Sequence, residues 1–200
     1  MASAVPLPLP QPVRLPVLAD VVPGARVKDA VLVTAAALLT AVLAQVAVPV
    51  AGSPVPITGQ TLAVVLTAAS LGPVRGVAVQ AFYILCALVG LPFYSEASGG
   101  FDVVSGATGG YVVGFLPAAW LIGMAARRGM DRQPLKAAPL FVAGQAVVFA
   151  VGVPWLAVST GMSAGQALDA GFYPFVLGGL VKAVVAAGVL GGAWRLARRS

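Results

Sequence analysis

A single charged residue lies within one of the most apolar stretches of the sequence. Residues 172–194 read FYPFVLGGLVKAVVAAGVLGGAW, which is long enough for a transmembrane helix, and their only charged side chain is Lys182. An ammonium group in hydrocarbon is energetically costly, so Lys182 should face the interior of a helix bundle and meet something negative. No acid lies in the same stretch, which makes Lys182 a candidate for binding an anionic solute. The alternative is a lysine near a helix end whose side chain reaches the membrane interface.

The composition indicates an integral membrane protein in which other helices surround this lysine. The chain has 200 residues, of which 60% are hydrophobic and 9% are charged, and its mean hydropathy is +0.98. Soluble domains carry about 25% charged residues. The net charge of +6 then reflects loops on one side of a membrane rather than binding to nucleic acid, which we do not expect as a partner.

The residues on which most enzymes and metal sites depend are scarce. The sequence has no histidine, so zinc sites and histidine-based catalysis are not expected, and its single cysteine, Cys86, can form no intrachain disulfide. It also lacks a Walker-type phosphate-binding loop, so the chain should not power ATP-driven transport by itself. We therefore expect no cofactor, no metal and no enzymatic activity, but a solute-capture protein that obtains energy from a partner.

Six apolar segments predict an all-α membrane protein, a bundle of six transmembrane helices. The expected spans are residues 29–48, 59–71, 74–91, 109–126, 137–158 and 172–194. The second span is short, so either it is tilted or the proline-rich connector before it, residues 49–58, folds partly into the bundle. Residues 159–170 should form a loop with a helix-start pattern near Ser163.

The basic residues predict the orientation of these spans. With a cytoplasmic N-terminus, every Lys and Arg other than Lys182 falls at the cytoplasmic side, so both termini are expected to be cytoplasmic. Residues 1–28 are expected to form a proline-rich cytoplasmic arm outside a transmembrane domain of residues 29–199. Lys182 then lies in the outer half of its span, beneath a polar connector of residues 92–108, which favours a binding site over an interface anchor.

Uncharged polar residues and aromatic rings could complete a pocket or simply hold helices together. Gln60 opens the short second span and is the best candidate for a ligand contact, whereas Gln80 and Gln145 could equally tie helices together. Most tyrosines should lie at the membrane interface, and one or two could form an apolar wall.

Small residues at helical spacing also have two interpretations. Gly106, Gly110 and Gly114 favour close helix packing over a loop whose amides contact a ligand. Ala37 and Ala41 could form an internal helix contact or a docking face for another membrane subunit.

Four motifs, in this order and spacing, resemble the BioY family, the biotin-binding S components of energy-coupling-factor (ECF) transporters. The motifs are PVPITGQTLAVVLTAASLGPVRG, YILCALVGLPFYSEASGG, SGATGGYVVGF and FYPFVLGGLVK, and the resemblance covers roughly residues 30–195. It implies a multi-pass protein of a prokaryotic cytoplasmic membrane that captures biotin from outside with high affinity. The implied partners are biotin, an ECF transmembrane coupling protein, ABC-type ATPases and membrane lipid.

The resemblance also implies roles for particular residues. Lys182 matches the lysine of the family's last span and is expected on the biotin carboxylate, while the regions 98–100 and 109–111 are expected on the bicyclic head. The expected ligand-binding set is Lys182, Ser98, Gly99, Gly100, Asp102, Tyr111, Gln60 and Tyr83. The residues expected to dock on the coupling protein are Ala37 and Ala41.

Three positions depart from the family pattern: Ser98 stands where the family often has Asn, Ala107 replaces a proline, and the third is position 179. Gly179 stands three residues before Lys182, where the family often has an acid, so a polar ligand contact is missing or supplied elsewhere, by Asp102 or a water for example. Two other functions stay open: an S component for another anionic vitamin such as pantothenate, and a membrane scaffold with no transport role.

Overall fold

The structure is a computed structural model that describes residues 15–21 and 26–198. Within these ranges the α-helices are α1 (Leu18–Val21), α2 (Arg26–Ala44), α3 (Gln60–Leu71), α4 (Pro73–Leu88), α5 (Phe101–Ser105), α6 (Gly109–Ala126), α7 (Pro134–Thr160), α8 (Ala164–Gly171) and α9 (Tyr173–Ala197). Two short strands, β1 (Ala47–Val48) and β2 (Ile57–Thr58), pair in antiparallel orientation. Single 3-10 turns cover Ser95–Ala97 and Met130–Arg132.

The first long helix ends earlier than the sequence pattern predicts. The prediction that residues 45–48 continue the helix is wrong, because Ala47 and Val48 pair with Thr58 and Ile57 as strands. Pro49 provides the local reason, since a proline disfavours the helical conformation of the residue before it. α4 likewise ends at Leu88 rather than residue 91.

The connector between the strands folds into the bundle, and this explains why the next helix is short. α3 has 12 residues and is therefore only about 18 Å long. Val55 of the connector is buried, and a Cβ on Gly59 would lie 2.5 Å from the backbone oxygen of Leu43 in α2. Irregular backbone is tolerated inside a membrane protein where it is buried in protein or lines a cavity.

The boundaries of α7 and α8 follow from standard helix-end chemistry. α7 begins at Pro134, where the missing N–H costs nothing, and ends at Thr160, before Gly161, whose φ of +71° is the left-handed conformation found just after helix ends. It is longer than the predicted 137–158. The helix-start pattern at Ser163 is confirmed: its side chain accepts from the Gln166 amide, and the Gln166 side chain accepts from the Ser163 amide. The prediction of a loop over residues 159–170 is wrong, because α8 occupies most of this segment.

Glycines allow α6 and α7 to pack at short range. A Cβ on Gly110 would overlap the Trp155 side chain, and one on Gly152 would overlap the Tyr111 ring. A Cβ on Gly114 would lie 3.1 Å from the Val148 Cα. The packing interpretation of Gly110 and Gly114 is therefore confirmed, because each small residue lets the neighbouring helix approach.

Three helical stretches among the described residues are long and apolar enough to cross a membrane, judged by length and composition. They are Gly109–Ala126, Pro134–Thr160 and Ala164–Ala197, and α3 and α4 are shorter apolar helices. α9 exposes several large apolar side chains, Leu177 and Val184 among them. Apolar exposure on this scale suits a surface that contacts lipid.

Residues 15–21, which belong to the predicted arm, pack against the ends of α4 and α6. Val17 is fully buried, and Asp20 pairs with Arg75 at 2.7 Å and with Arg127 at 2.9 Å. Burial raises the pKa of Asp20, but hydrogen bonds from Arg75 and the Val17 amide, with the nearby Arg127 charge, outweigh it and hold the pKa below its usual range. Residues 1–14 and 22–25 of the arm lie outside the described residues, and the domain boundary at residue 28 stays a prediction.

Candidate ligand-binding site

A cavity bordered by α3, α6, α7 and α9 contains the Lys182 side chain. It encloses about 640 Å³ of empty space, part of it open to solvent. Most of its wall is apolar or aromatic, and a few polar groups converge on it, which is the usual composition of a small-molecule site. Its lining residues are Val55, Pro56, Thr58, Gln60, Thr61, Tyr94, Ser95, Val103, Thr108, Tyr111, Val112, Phe115, Gln145, Val148, Phe149, Phe175 and Lys182.

Lys182 is held at this cavity by the connector and α3. Its Nζ donates to the Thr58 backbone oxygen at 2.6 Å and to the Thr61 hydroxyl at 3.1 Å. A lysine ammonium has three N–H donors and a positive charge. No described acid lies within ion-pair distance of Lys182. The side chain is therefore positioned by neutral acceptors and keeps its positive charge uncompensated beside the cavity.

Gln60 belongs to a chain of hydrogen bonds that starts at the same connector. The Thr58 hydroxyl donates to Gln60 Oε1 at 2.7 Å, and Gln60 Nε2 donates to the Tyr83 hydroxyl at 2.5 Å. The Tyr83 hydroxyl then donates to the Phe93 backbone oxygen at 3.0 Å. Gln60 lines the cavity, but Tyr83 is fully buried behind it, so Tyr83 supports the wall rather than forming it.

Three aromatic rings form the apolar side of the cavity. Tyr111 lies edge-on to Phe149, with ring centroids 6.4 Å apart, and stacks with Phe175 at 6.5 Å. Its hydroxyl donates to the Gly171 backbone oxygen at 2.9 Å, which ties the ring to the end of α8. Such a wall can take a thioether ring or an aliphatic chain.

A second, more polar cavity continues from the first. The two share Pro56, Ser95, Val103 and Thr108, and the second encloses about 760 Å³ that is more open to solvent. Ser98 and Asp102 line this outer part rather than the inner one. The two cavities are therefore neighbours, with the outer one at the loop region and the inner one at Lys182.

Gln45 at the end of α2 clamps the loop that lies between the two cavities. Its Oε1 accepts from the Ala97 amide at 2.9 Å, and its Nε2 donates to the Tyr94 backbone oxygen at 3.0 Å. Glu96 and Ala97 within this loop have φ of 58° and 53°. Non-glycine residues adopt this left-handed region at a cost in free energy, so the loop conformation depends on such contacts.

Not every residue of the predicted site reaches a cavity wall. Gly99 and Gly100 line neither cavity; Gly100 donates from its amide to the Ala87 oxygen at 2.7 Å, and a Cβ on Gly99 would overlap the Leu91 oxygen. Ala37 is fully buried and Ala41 nearly so, which is the geometry of an internal helix contact. Their docking role stays a prediction.

Sequence reasoning gave too little weight to several wall residues. Gln145 lines the cavity beside Gly179, and Tyr94 and Phe175 contribute rings to its wall. In the sequence each of them lies in an apolar segment or a motif that does not single it out. A signal was present for Phe175, which lies in the FYPF run directly before the Lys182 helix. For Thr61, the signal was its place one residue after Gln60.

Comparisons with known proteins identify the family. The model of the BioY family matches residues 14–199, nearly the whole chain. The chain belongs to the BioY family. Among its relatives, the "Biotin transporter BioY" of Thermotoga maritima is 38% identical over 134 residues, which are 67% of this chain and 78% of that protein. The "Biotin transporter BioY" of Rhodobacter capsulatus is 34% identical over 161 residues, 75% of this chain and 84% of that one.

A solved structure shares the fold of this BioY chain. It is described as the S-component for biotin from an ECF-type ABC transporter, and it superimposes with a TM-score of 0.78 at 23% identity. The similarity covers 88% of this chain and 93% of the other. The mainly helical architecture of this BioY protein is therefore that of an S component.

Proposed function

We propose that this BioY chain is the substrate-binding subunit of an ECF transporter and captures biotin for uptake across the cytoplasmic membrane. The observation that carries the proposal is the uncompensated Lys182 ammonium at a cavity walled by aromatic rings, in a chain whose relatives are named as biotin transporters. Biotin combines an aliphatic acid with an apolar thioether ring and a polar ureido ring. A cation, an aromatic wall and a few neutral polar groups complement these three parts.

The ligand lies in the inner cavity in this proposal. Lys182 binds the carboxylate, Tyr111 packs against apolar parts of biotin, and Gln60 offers a polar contact at the wall. Ser98 and Asp102 act at the outer cavity, through which biotin enters. Tyr83, Gly99 and Gly100 act indirectly in this arrangement, by supporting Gln60 and by shaping the loop.

Six spans with both termini in the cytoplasm complete the proposal. α2, α3, α4, α6, α7 and α9 are the six spans, and all Lys and Arg other than Lys182 then lie at the cytoplasmic side. Energy comes from a transmembrane coupling protein and ABC-type ATPases. Docking at Ala37 and Ala41 requires α2 to move, because both side chains face the bundle interior.

Isothermal titration of the detergent-purified chain with biotin tests this function, with pantothenate as the control ligand. We expect tight one-to-one binding of biotin and no heat with pantothenate. Binding of pantothenate in place of biotin would show that the protein is an S component for another anionic vitamin. The absence of any tight ligand, together with no ATPase in a pulldown from membranes, would favour a scaffold.

A further inference from the structure

Gln145 of α7 fills the space that a side chain at position 179 of α9 would need. Gln145 is 6% exposed and lines the Lys182 cavity, and its Nε2 donates to the Gly179 backbone oxygen at 2.7 Å. A Cβ built on Gly179 would lie 2.5 Å from Gln145 Oε1. The lack of a side chain at position 179 is therefore what allows Gln145 to reach this place.

The hydrogen bond to Gly179 determines which end of the Gln145 amide remains available. Because Nε2 is engaged as the donor, the free end is Oε1, which can only accept. No described residue donates to this oxygen, although the side chain is more than nine-tenths buried. This free acceptor lies at the wall of the cavity, so it provides a binding position for an N–H or O–H group of a ligand.

We propose that Gln145 is a ligand-binding residue whose Oε1 accepts a hydrogen bond from an N–H group of the ligand. The inference rests on the proposed function, since the N–H groups of biotin are the two of its ureido ring. Lys182 lines the same cavity, so the cavity presents a neutral acceptor for the ureido ring and a cationic donor for the carboxylate at the other end of the ligand. This pair selects a ligand that has both N–H groups and an anion or carbonyl, and disfavours acids that lack an N–H at this place.

The test compares wild type with Gln145→Leu in titrations with biotin and with its two mono-N-methyl ureido derivatives. Wild type should bind one derivative at least about 10-fold more weakly than biotin, since a buried hydrogen bond is lost and its acceptor is left unpaired. Gln145→Leu should bind biotin about 10-fold or more weakly, and should no longer distinguish biotin from that derivative. If Gln145→Leu lowers the affinities for biotin and for both derivatives by the same factor, Gln145 does not contact an N–H group of the ligand and has only a packing role.

Gln80→Leu is the matched control. Gln80 is also a buried glutamine of a membrane helix, but it lines neither of the two cavities described above, and its Nε2 donates to the Thr67 hydroxyl at 3.3 Å. Its replacement should leave the dissociation constant for biotin unchanged. A biotin affinity that is unchanged in Gln145→Leu as well, with an unaltered melting temperature, would overturn the inference.

Gly179→Ala tests the same contact without removing Gln145. The new methyl group must displace Gln145 Oε1, so biotin binding should weaken as it does in Gln145→Leu. In a Gln145→Ala background, Gly179→Ala should cause little further loss, because the two changes act on one contact. Additive losses would contradict the shared contact. If folded wild type does not bind biotin, both the proposed function and this inference are wrong. If wild type binds biotin and the variants bind it equally well, only the inference is wrong.

Discussion

The ammonium nitrogen of Lys182 lies 2.6 Å from the backbone oxygen of Thr58, a residue 124 positions earlier in the chain. This bond joins the last long helix to the proline-rich connector, and the Thr61 hydroxyl adds a second acceptor. Both acceptors are neutral, so they orient the lysine without neutralising it. The pocket therefore contains a positioned cation, as the proposed binding of a carboxylate requires.

Lys182→Ala should weaken biotin binding by about 10- to 100-fold, because a hydrogen bond to a charged group contributes roughly 1.5–3 kcal/mol. Isothermal titration measures the change, and Lys136→Ala, at an exposed position near the start of α7, is the control. Biotinamide, which lacks the carboxylate, should bind wild type weakly and be little affected by Lys182→Ala. An equal loss for biotin and biotinamide would place the ammonium on another part of the ligand.

Tyr83→Phe should reduce the free energy of unfolding by about 1–3 kcal/mol, because the Gln60 amide and the Phe93 oxygen both lose a buried partner. The dissociation constant for biotin should change by only a few-fold, since Tyr83 does not line the cavity. Thermal melting in detergent and titration separate these effects. Tyr173→Phe, which alters an exposed ring, should leave both unchanged; a large selective loss of affinity in Tyr83→Phe would show a direct contact instead.

Gln45→Ala should loosen the loop between the two cavities. The Ala97 amide loses its acceptor and the left-handed residues lose a constraint, so hydrogen exchange at Ala97 should accelerate. Biotin dissociation should become about 3- to 10-fold faster, corresponding to loss of about one hydrogen bond. Stopped-flow displacement measures the rate, with Gln133→Ala as the control. Unchanged exchange and dissociation would mean that the loop holds its conformation without the clamp.

Gly152→Ala should destabilise the bundle by about 1–3 kcal/mol or more, because the methyl group overlaps the Tyr111 ring. Biotin binding should weaken too, since Tyr111 lines the cavity. Gly188→Ala on α9 is the control: nothing lies within 4 Å of its added Cβ, and a helical alanine is favoured over glycine by up to about 1 kcal/mol. Melting temperatures should therefore shift in opposite directions for the two variants.

Asp20→Asn should destabilise the chain at neutral pH but not in acid. The pKa of Asp20 is lower in the folded state, so its contribution is present above the unfolded pKa of about 4 and is lost as the pH falls through the folded value. Partly exposed ion pairs contribute about 1 kcal/mol or less each, so the shift in melting temperature should be modest. The difference from wild type should shrink between pH 5 and pH 3. A difference in melting temperature that does not change with pH would show that the contribution of Asp20 to stability does not come from its ion pairs.

The sequence was sufficient to predict the helical class and most helix ends, because proline, glycine and capping residues act locally. Gly72 and Pro73 separate α3 from α4, and Ser163 starts α8, as local chemistry requires. The end of α2 was missed because the pairing of Val48 with Ile57 depends on residues that are apart in sequence. Hydropathy cannot detect a two-residue strand of apolar residues.

The candidate site could be predicted only in part, for the same reason. Lys182 was conspicuous because its charge contrasts with its surroundings, and Gln60 because it follows an irregular connector. Tyr83 and Gly100 are predicted to bind the ligand, and the structure shows hydrogen bonds from Gln60 to Tyr83 and from Gly100 to Ala87. Their ligand contacts stay a prediction. Which side of a helix a residue occupies depends on tertiary packing, and motif spacing does not report it.

The bond between Lys182 and Thr58 also sets an order of events during biosynthesis. At about 5–20 residues per second, a ribosome needs roughly 6–25 s to translate the 124 positions that separate the two residues. Over that interval the nascent chain lacks the ammonium group that donates to the Thr58 oxygen and the Thr61 hydroxyl in the folded protein. The pocket is therefore the last part of the protein to be completed, and a chain released before Lys182 would carry most of the helices but expose a polar cleft to the translocon and to membrane proteases.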